Sequence, residues 1–490
     1  MLGNAIMAPL VGRLAEILGR RFVLVAGTTV FTIFSVCCAL SDFASSIWVL
    51  VAMRFGQGIG GGSMIVSVMV LSTWCLLLLL SSRAAAWRSP SLSWSHRWLR
   101  VTTMSNKAEQ RAACACFLTQ ADVLFVSYPC TAAVSDITPA RQRGAAMAPV
   151  ALIFAVSQVI GPVVGGVFTD IHSLSMSGWT LAFWINIPIG LFTGWLFWAY
   201  VPADMGKRDR AVSMDRSGTV VCTVAVICLA LAMTSGGSTY AWSSPLIVTL
   251  LTVGLAFFVL FVLIEVYVAK DPIVPFHTFK VRNVGTAAWM SLFSAVGQMA
   301  VTVYVPLWLQ TVKGESAAQS GISILPIVLG LPVAAIATGV SMSATGKYWI
   351  QPVLGGALMI GMGVWLTQIT PATSDALLGL IFFLVGITFG VAPVMCTPQA
   401  QTAVSNEYRA VLASTMSFLQ LLGLLLGAAA GQTIVNNNLQ SFTSQPTLDE
   451  LSKSFTDVFY LTVVGGAFFF LAAIYSEHIP LSEGTAQAAL

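Results

Sequence analysis

Arg54 stands where the chain offers it little water. It sits in "VAMRFGQGIGGG", with about ten apolar or small residues on either side. An arginine held at the centre of a lipid-spanning helix costs roughly 2.5–3.5 kcal/mol or more. Such a residue is retained when its charge faces a polar cavity, where it can pair with an acid or tune that acid's protonation. The ordinary alternative, snorkelling to an interface, fits poorly with so long an apolar flank on both sides. Gln57 and Gly58 follow one helical turn later and share or border its face.

A second charged cluster is "GRLAEILGRR". Gly12 and Gly19 bracket the acid Glu16, and Arg20 and Arg21 close the stretch. A third segment, "SQVIGPVVGGVF", places Gly161, Pro162, Gly165 and Gly166 in mid-run. Proline removes a helical hydrogen bond and bends the axis, and glycines admit a neighbouring backbone. Tight packing alone would account for one Gly-x-x-x-Gly; a proline among three glycines asks for more.

The elements that must hold these residues follow from composition. The chain has 490 residues, 57% hydrophobic and 9% charged. A soluble domain carries roughly 25% charged residues, so this one belongs in lipid, where a spanning helix needs about 20 apolar residues. The net charge of +4 gives no basis for nucleic-acid binding. Nine cysteines form no Cys-x-x-Cys pair, so neither a metal site nor a disulfide framework is expected, and no cofactor. Four histidines (His96, His172, His277, His478) are scattered without mutual spacing, which argues against a membrane enzyme.

Apolar runs cover roughly 22–41, 45–72, 144–169, 178–200, 217–236, 245–269, 284–312, 320–341, 350–370, 375–395, 408–435 and 456–476, and 1–17 reads as the end of another. The runs are continuous and not alternating, so an all-α polytopic membrane protein is expected and not a barrel. Basic residues gather in alternate loops: Arg20 and Arg21; Arg141 and Arg143; Lys207, Arg208, Arg210 and Arg216; Lys270, Lys280 and Arg282; Lys347; Arg409. These loops should face the cytoplasm. Met1 would then start outside, and the odd span count leads to the expectation that a first helix is missing. "GVSMSATGKYW" repeats the seven-residue glycine spacing at Gly339 and Gly346, with Lys347 following, as duplicated transporter halves do.

One segment breaks the pattern. Residues 73–133 hold four tryptophans, four cysteines and six basic residues without helical period. They read either as a basic cytoplasmic loop or, the favoured reading, as foreign sequence such as a retained intron.

"GRLAEILGRR", "RFGQGIG" and "GPVVGG", in this order, resemble three signature motifs of the major facilitator superfamily, the third resembling that of its antiporters. "WTLAFWINIPIG", "MTSGGSTYAW", "VYVPLWLQTVKGESAAQSGISILP" and "FGVAPVMCTPQAQTAV" are similar to its fourteen-span drug:proton antiporter branch, as found in fungi. The resemblance covers nearly all of the chain outside 73–133. It implies two pseudo-symmetric six-helix halves, 1–200 and 271–476, with two linking spans in 201–270 and a cytoplasmic tail at 477–490. It implies a gate at Gly12, Glu16, Gly19, Arg20 and Arg21, proton coupling at Arg54, Gln57 and Gly58, and a cavity-shaping bend at Gly161, Pro162, Gly165 and Gly166. Departures are Ile17 after the gate acid, which is itself glutamate where aspartate is usual, and Trp179-Thr180-Leu181 where Trp-Arg-Trp is usual.

Among amides inside spans are Gln158, Asn186, Gln298 and Gln310; Asn186 and Gln310 lie among the aromatics Trp184, Tyr304 and Trp308. An apolar, aromatic cavity with a few amides suits bulky amphipathic cargo, although an interhelical hydrogen bond is the commoner fate of each amide. The function expected is export of a hydrophobic small molecule in exchange for protons by a monomer in the plasma membrane. Uptake of a nutrient or metal chelate, or an inactive product of a misread gene, remain the alternatives.

Overall fold

The computed structural model describes residues 7, 14, 17–41, 49–50, 52–61, 180–200, 215–236, 240–269, 272, 274–315, 317–345, 349–404, 408–440 and 447–477. Among them the regular elements are all helices, joined by turns and loops, with one isolated bridge between Gly236 and Tyr240. The first group comprises α1 (Arg20–Leu40), α2 (residues 52–61), α3 (Leu181–Trp184) and α4 (Asn186–Tyr200). A linking pair follows, α5 (Arg216–Ser235) and α6 (Pro245–Tyr267). The last group is α7 (Arg282–Thr311), α8 (Ala317–Ser323), α9 (Leu325–Thr345), α10 (Ile350–Thr367), α11 (Asp375–Thr402), α12 (Arg409–Gln440), α13 (Leu448–Thr456) and α14 (Tyr460–Tyr475).

Helix starts are chemically marked. Asp215 caps α5 by accepting the Gly218 amide, and Ser244 caps α6 ahead of Pro245. Thr447 and Glu450 form a reciprocal capping box on α13. Among the described residues, eight helical stretches are long and apolar enough to cross a membrane: Arg21–Leu40, Pro245–Tyr267, Arg282–Thr311, Gln319–Met342, Ile350–Thr367, Asp375–Thr402, Val411–Leu439 and Leu448–Tyr475. All eight coincide with expected runs. The runs expected at 1–17, 45–72 and 144–169 lie wholly or largely outside the described residues, as do segment 73–133 and most of the tail.

Two helices extend past their expected ends. α11 continues to Thr402 because Thr397, Gln399 and Gln401 are buried between helices and not in a loop. α12 continues to Gln440, where Asn438 donates to Asp457 at 2.9 Å.

Small residues set the packing, because lipid offers apolar helices no hydrophobic reason to associate. A Cβ on Gly386 would sit 2.0 Å from the Ile327 carbonyl oxygen, and one on Gly390 would sit 2.1 Å from that of Leu331, so α9 and α11 touch backbone to backbone. α7 and α12 meet in the same way: a Cβ on Gly423 would sit 2.2 Å from the Leu292 carbonyl oxygen. α10 and α14 run antiparallel, with Gly356 against Phe470 and Gly363 against Val463. In the first group α1 and α4 mate in the same sense, Thr28 against Gly194 and Thr32 against Gly190. The core of the last group contains Trp308, Phe382, Phe389, Val458 and Phe459. The linking pair packs α5 against α12, joining Cys222 and Val226 to Phe418 and Leu425.

Candidate functional site

α1, α2 and α3 assemble one polar chain inside the first group. The Arg54 guanidinium donates to Gln57 Oε1 at 3.3 Å, and Gln57 Nε2 donates to Ser35 Oγ at 2.7 Å. Ser35 Oγ in turn donates to the Phe31 carbonyl oxygen at 2.8 Å. Its donor is spent on its own helix, so toward Gln57 it accepts; that fixes the amide with Oε1 toward Arg54. Arg54 also lies 4.3 Å above the centroid of the Phe183 ring, a cation–π contact. Gln57 and Phe183 are buried, while Arg54 keeps an exposed face. The site is a charge held on one side by an amide and a ring, and open on the other.

Two glycines that the sequence reading passed over make this approach possible. A Cβ on Gly60 would lie 2.3 Å from the Phe31 backbone nitrogen, and one on Gly56 would lie 2.2 Å from the Phe34 ring. Their Gly-x-x-x-Gly spacing was the available signal. Gly58, between them, is half-buried.

Of the gate residues, Gly12 and Glu16 lie outside the described residues. Gly19 has φ 86° and ψ 148°, a backbone state that is essentially glycine-only, and it starts α1. Arg20 is the first residue of α1. Arg21 stacks 4.3 Å above the Trp198 ring on α4, and its Nε is buried without a hydrogen-bond partner among the described residues. Gln158, Gly161, Pro162, Gly165 and Gly166 lie outside the described residues.

The remaining candidates divide between the two groups. Trp184 is exposed on α3 and Asn186 opens α4. Tyr304 and Trp308 are 2% and 0% exposed within the core of the last group. Tyr304 Oη donates to the Ala428 carbonyl oxygen at 3.4 Å, and Trp308 Nε1 donates to Ser452 Oγ at 2.9 Å. Gln310 Nε2 donates to Ser320 Oγ at 2.9 Å. Tyr304 and Trp308 therefore sit inside one helix bundle, and the interhelical bond is the place the structure gives Gln310. Among the described residues no group of three or more His, Cys, Asp or Glu side chains could hold a metal.

A second polar feature, absent from the sequence reading, lies between α7, α11 and α12. Ser291, Ser294, Ala392, Pro393, Cys396, Thr397, Met416, Ser417 and Gln420 line a small recess with room for about one water molecule.

The sequence model of the Major Facilitator Superfamily matches residues 1–75 and 125–272, passing over a stretch that lies inside 73–133. The MFS-type transporter phomT of Diaporthe leptostromiformis is 30% identical over 333 residues, 66% of this chain and 54% of that one. The efflux pump dotC of Dothistroma septosporum is 27% identical over 462 residues, 93% of this chain and 66% of its own. Among solved structures, the proton:xylose symporter XylE superposes with a TM-score of 0.54 at 14% identity, covering 96% of this chain and 82% of XylE. The chain thus spans between 54% and 66% of the length of these two curated relatives. It belongs to the major facilitator superfamily, with efflux-type members among its relatives, and it is an integral multi-pass membrane protein.

Proposed function

We propose that this member of the major facilitator superfamily exports hydrophobic small molecules in exchange for protons, by alternating exposure of a cavity between its two helical halves. The observation that carries the reading is the Arg54 chain. The Arg54 guanidinium on α2, tied to Gln57 and Ser35 and stacked on Phe183, has one open face. On that face it can raise or lower the proton affinity of a substrate-side acid as the cavity changes exposure. The efflux pump dotC, aligned over 93% of this chain, supports export over uptake.

Gly19 and Arg21 act at the cytoplasmic gate with Gly12, Glu16 and Arg20. The glycine-only turn lets α1 begin directly after the loop, and Arg21 anchors that end of α1 on Trp198 of α4. For Pro162 and its flanking glycines the role proposed is the one the resemblance implies, shaping of the cavity. Segment 73–133 stands outside this machinery, a reading supported by the gap in the family match. A transcript in which this segment is spliced out would bear that reading out; mature message retaining it would overturn it.

The test of export is accumulation of dye in yeast cells lacking their own drug pumps. Expression of the chain should lower steady-state ethidium, and a protonophore should abolish the difference. Unchanged ethidium with the chain present in the plasma membrane contradicts the reading.

A further inference from the structure

α7 and α14 run antiparallel, and the end of α14 returns beside the start of α7. Arg282, Trp289 and Phe293 lie on α7; Phe468 and Tyr475 lie on α14. Seven residues make close to two helical turns, so Arg282 and Trp289 share one face of α7, and Phe468 and Tyr475 one face of α14. The rings of Trp289, Phe293 and Phe468 form one stack, with centroids 5.3 Å and 4.4 Å apart and planes 5° and 19° apart. Trp289 and Phe468 are 55% and 45% exposed on stretches apolar enough to span a membrane, which leaves the stack open to lipid chains.

Where α7 begins and α14 stops, the face turns basic. The Arg282 guanidinium lies 4.1 Å above the Tyr475 ring, and its Nε donates to the Tyr475 carbonyl oxygen. Its Nη donors stay open. Lys280, two residues earlier, is exposed. Among the described residues neither cation pairs with an acid, and no acid stands in the first turn of α7. The Trp289 indole N–H also makes no hydrogen bond among the described residues, and a donor left unmet in lipid is costly.

We infer that this face binds an anionic phospholipid of the cytoplasmic leaflet, the side to which the basic loops assign it. The headgroup phosphate meets Arg282 and Lys280, an ester carbonyl accepts from Trp289, and an acyl chain lies along the ring stack. Trp289 follows Arg282 by about 10 Å along α7, and helical side chains lean toward the N-terminus, so the indole reaches back toward the headgroup. A zwitterionic headgroup brings a cation to a place that already holds two, and a sterol hydroxyl leaves both unpaired. Net negative charge with an acyl chain matches both ends of the face. The inference needs the membrane location only, and not the direction of transport.

The experiment is native mass spectrometry of the purified full chain, released from micelles holding equal dioleoylphosphatidylglycerol and dioleoylphosphatidylcholine. The unaltered chain should retain the anionic lipid on the order of tenfold over the zwitterionic one. Arg282→Gln and Lys280→Gln should each lower that preference about fivefold, and the double variant should remove it. Trp289→Leu should weaken retention of both lipids alike, because both carry the ester. Lys453→Gln on α13, at the other end of α14, should change nothing. Equal retention of the two lipids by the unaltered chain overturns the site, as does a preference that survives the double variant. Displacement of the lipid by cholesterol, or by free glycerol phosphate at the same concentration, also overturns it, in favour of a sterol face or a bare anion site. Thermal unfolding reports which variants stay folded, and Lys280→Gln keeps the test decisive should loss of Arg282 unseat α14.

Discussion

Gln57 on α2 and Ser35 on α1 are joined by a 2.7 Å hydrogen bond that decides how the Gln57 amide meets Arg54. Because Ser35 gives its proton to Phe31, Gln57 must offer Ser35 its nitrogen and Arg54 its oxygen. Replacing Ser35 with alanine leaves that amide buried and free to turn. Proton-driven dye export by Ser35→Ala should fall about threefold to tenfold with a displaced pH optimum, at unchanged membrane abundance. A flat effect across pH would mean that Ser35 only packs.

Arg54 needs its fork. Lysine keeps the charge but has no planar face to lie on Phe183 while donating sideways to Gln57. Arg54→Lys should therefore resemble Arg54→Ala in proton-coupled export, losing most of the activity. Export rates measured side by side at one pH gradient check this; near-normal transport by the lysine variant would show that charge alone suffices.

The glycines differ in what a methyl would meet. At Gly60 it would strike the Phe31 backbone at 2.3 Å, so Gly60→Ala must push α1 and α2 apart, at a cost of about 1–3 kcal/mol. At Gly361 nothing lies within 4 Å, and alanine there should be neutral or stabilise by about 0.5–1 kcal/mol through helix entropy. Thermal unfolding in detergent should move in opposite directions for the two variants.

Gly19 meets a different constraint. At φ 86° and ψ 148° a side chain strains the backbone whatever the space, by about 1–3 kcal/mol. Gly19→Ala should lower the unfolding temperature and slow export together, whereas Arg21→Gln, which loses the Trp198 contact but keeps the backbone, should slow export with little change in unfolding.

Trp308 separates core from cavity. It is fully buried, donates to Ser452, and packs with Phe459 and Leu309. Trp308→Ala should cost about 3–5 kcal/mol and reduce the amount of folded protein, while Trp308→Phe should leave the ranking of exported dyes unchanged. A changed ranking would return Trp308 to the cavity.

The spans of the last group were legible because each is a continuous apolar run of about 20 residues. Their ends were less so. Thr397, Gln399 and Gln401 look like a loop in sequence, yet neighbouring helices bury them. The α13 helix precedes the apolar run expected at 456–476, and its sequence signal is the capping-box spacing of Thr447 and Glu450. Arg54 and Gln57 were legible as partners because residues three apart share a helix face. Ser35 was not, being 22 positions away and one serine among many in an apolar run. Tyr304 and Trp308 show the limit most plainly. A membrane helix is apolar all round, so its pattern does not say which face meets lipid, core or cavity. Gln420 and Thr397 escaped for the same reason, and only the meeting of α7, α11 and α12 brought them to one space.

The central claim is exchange of cargo for protons. Purified chain in liposomes with an acidic lumen, the membrane potential clamped to zero, should draw tetraphenylphosphonium inward, and Arg54→Ala liposomes should not. Movement of the probe out of the acidic compartment, or equal accumulation with and without Arg54, would contradict the account.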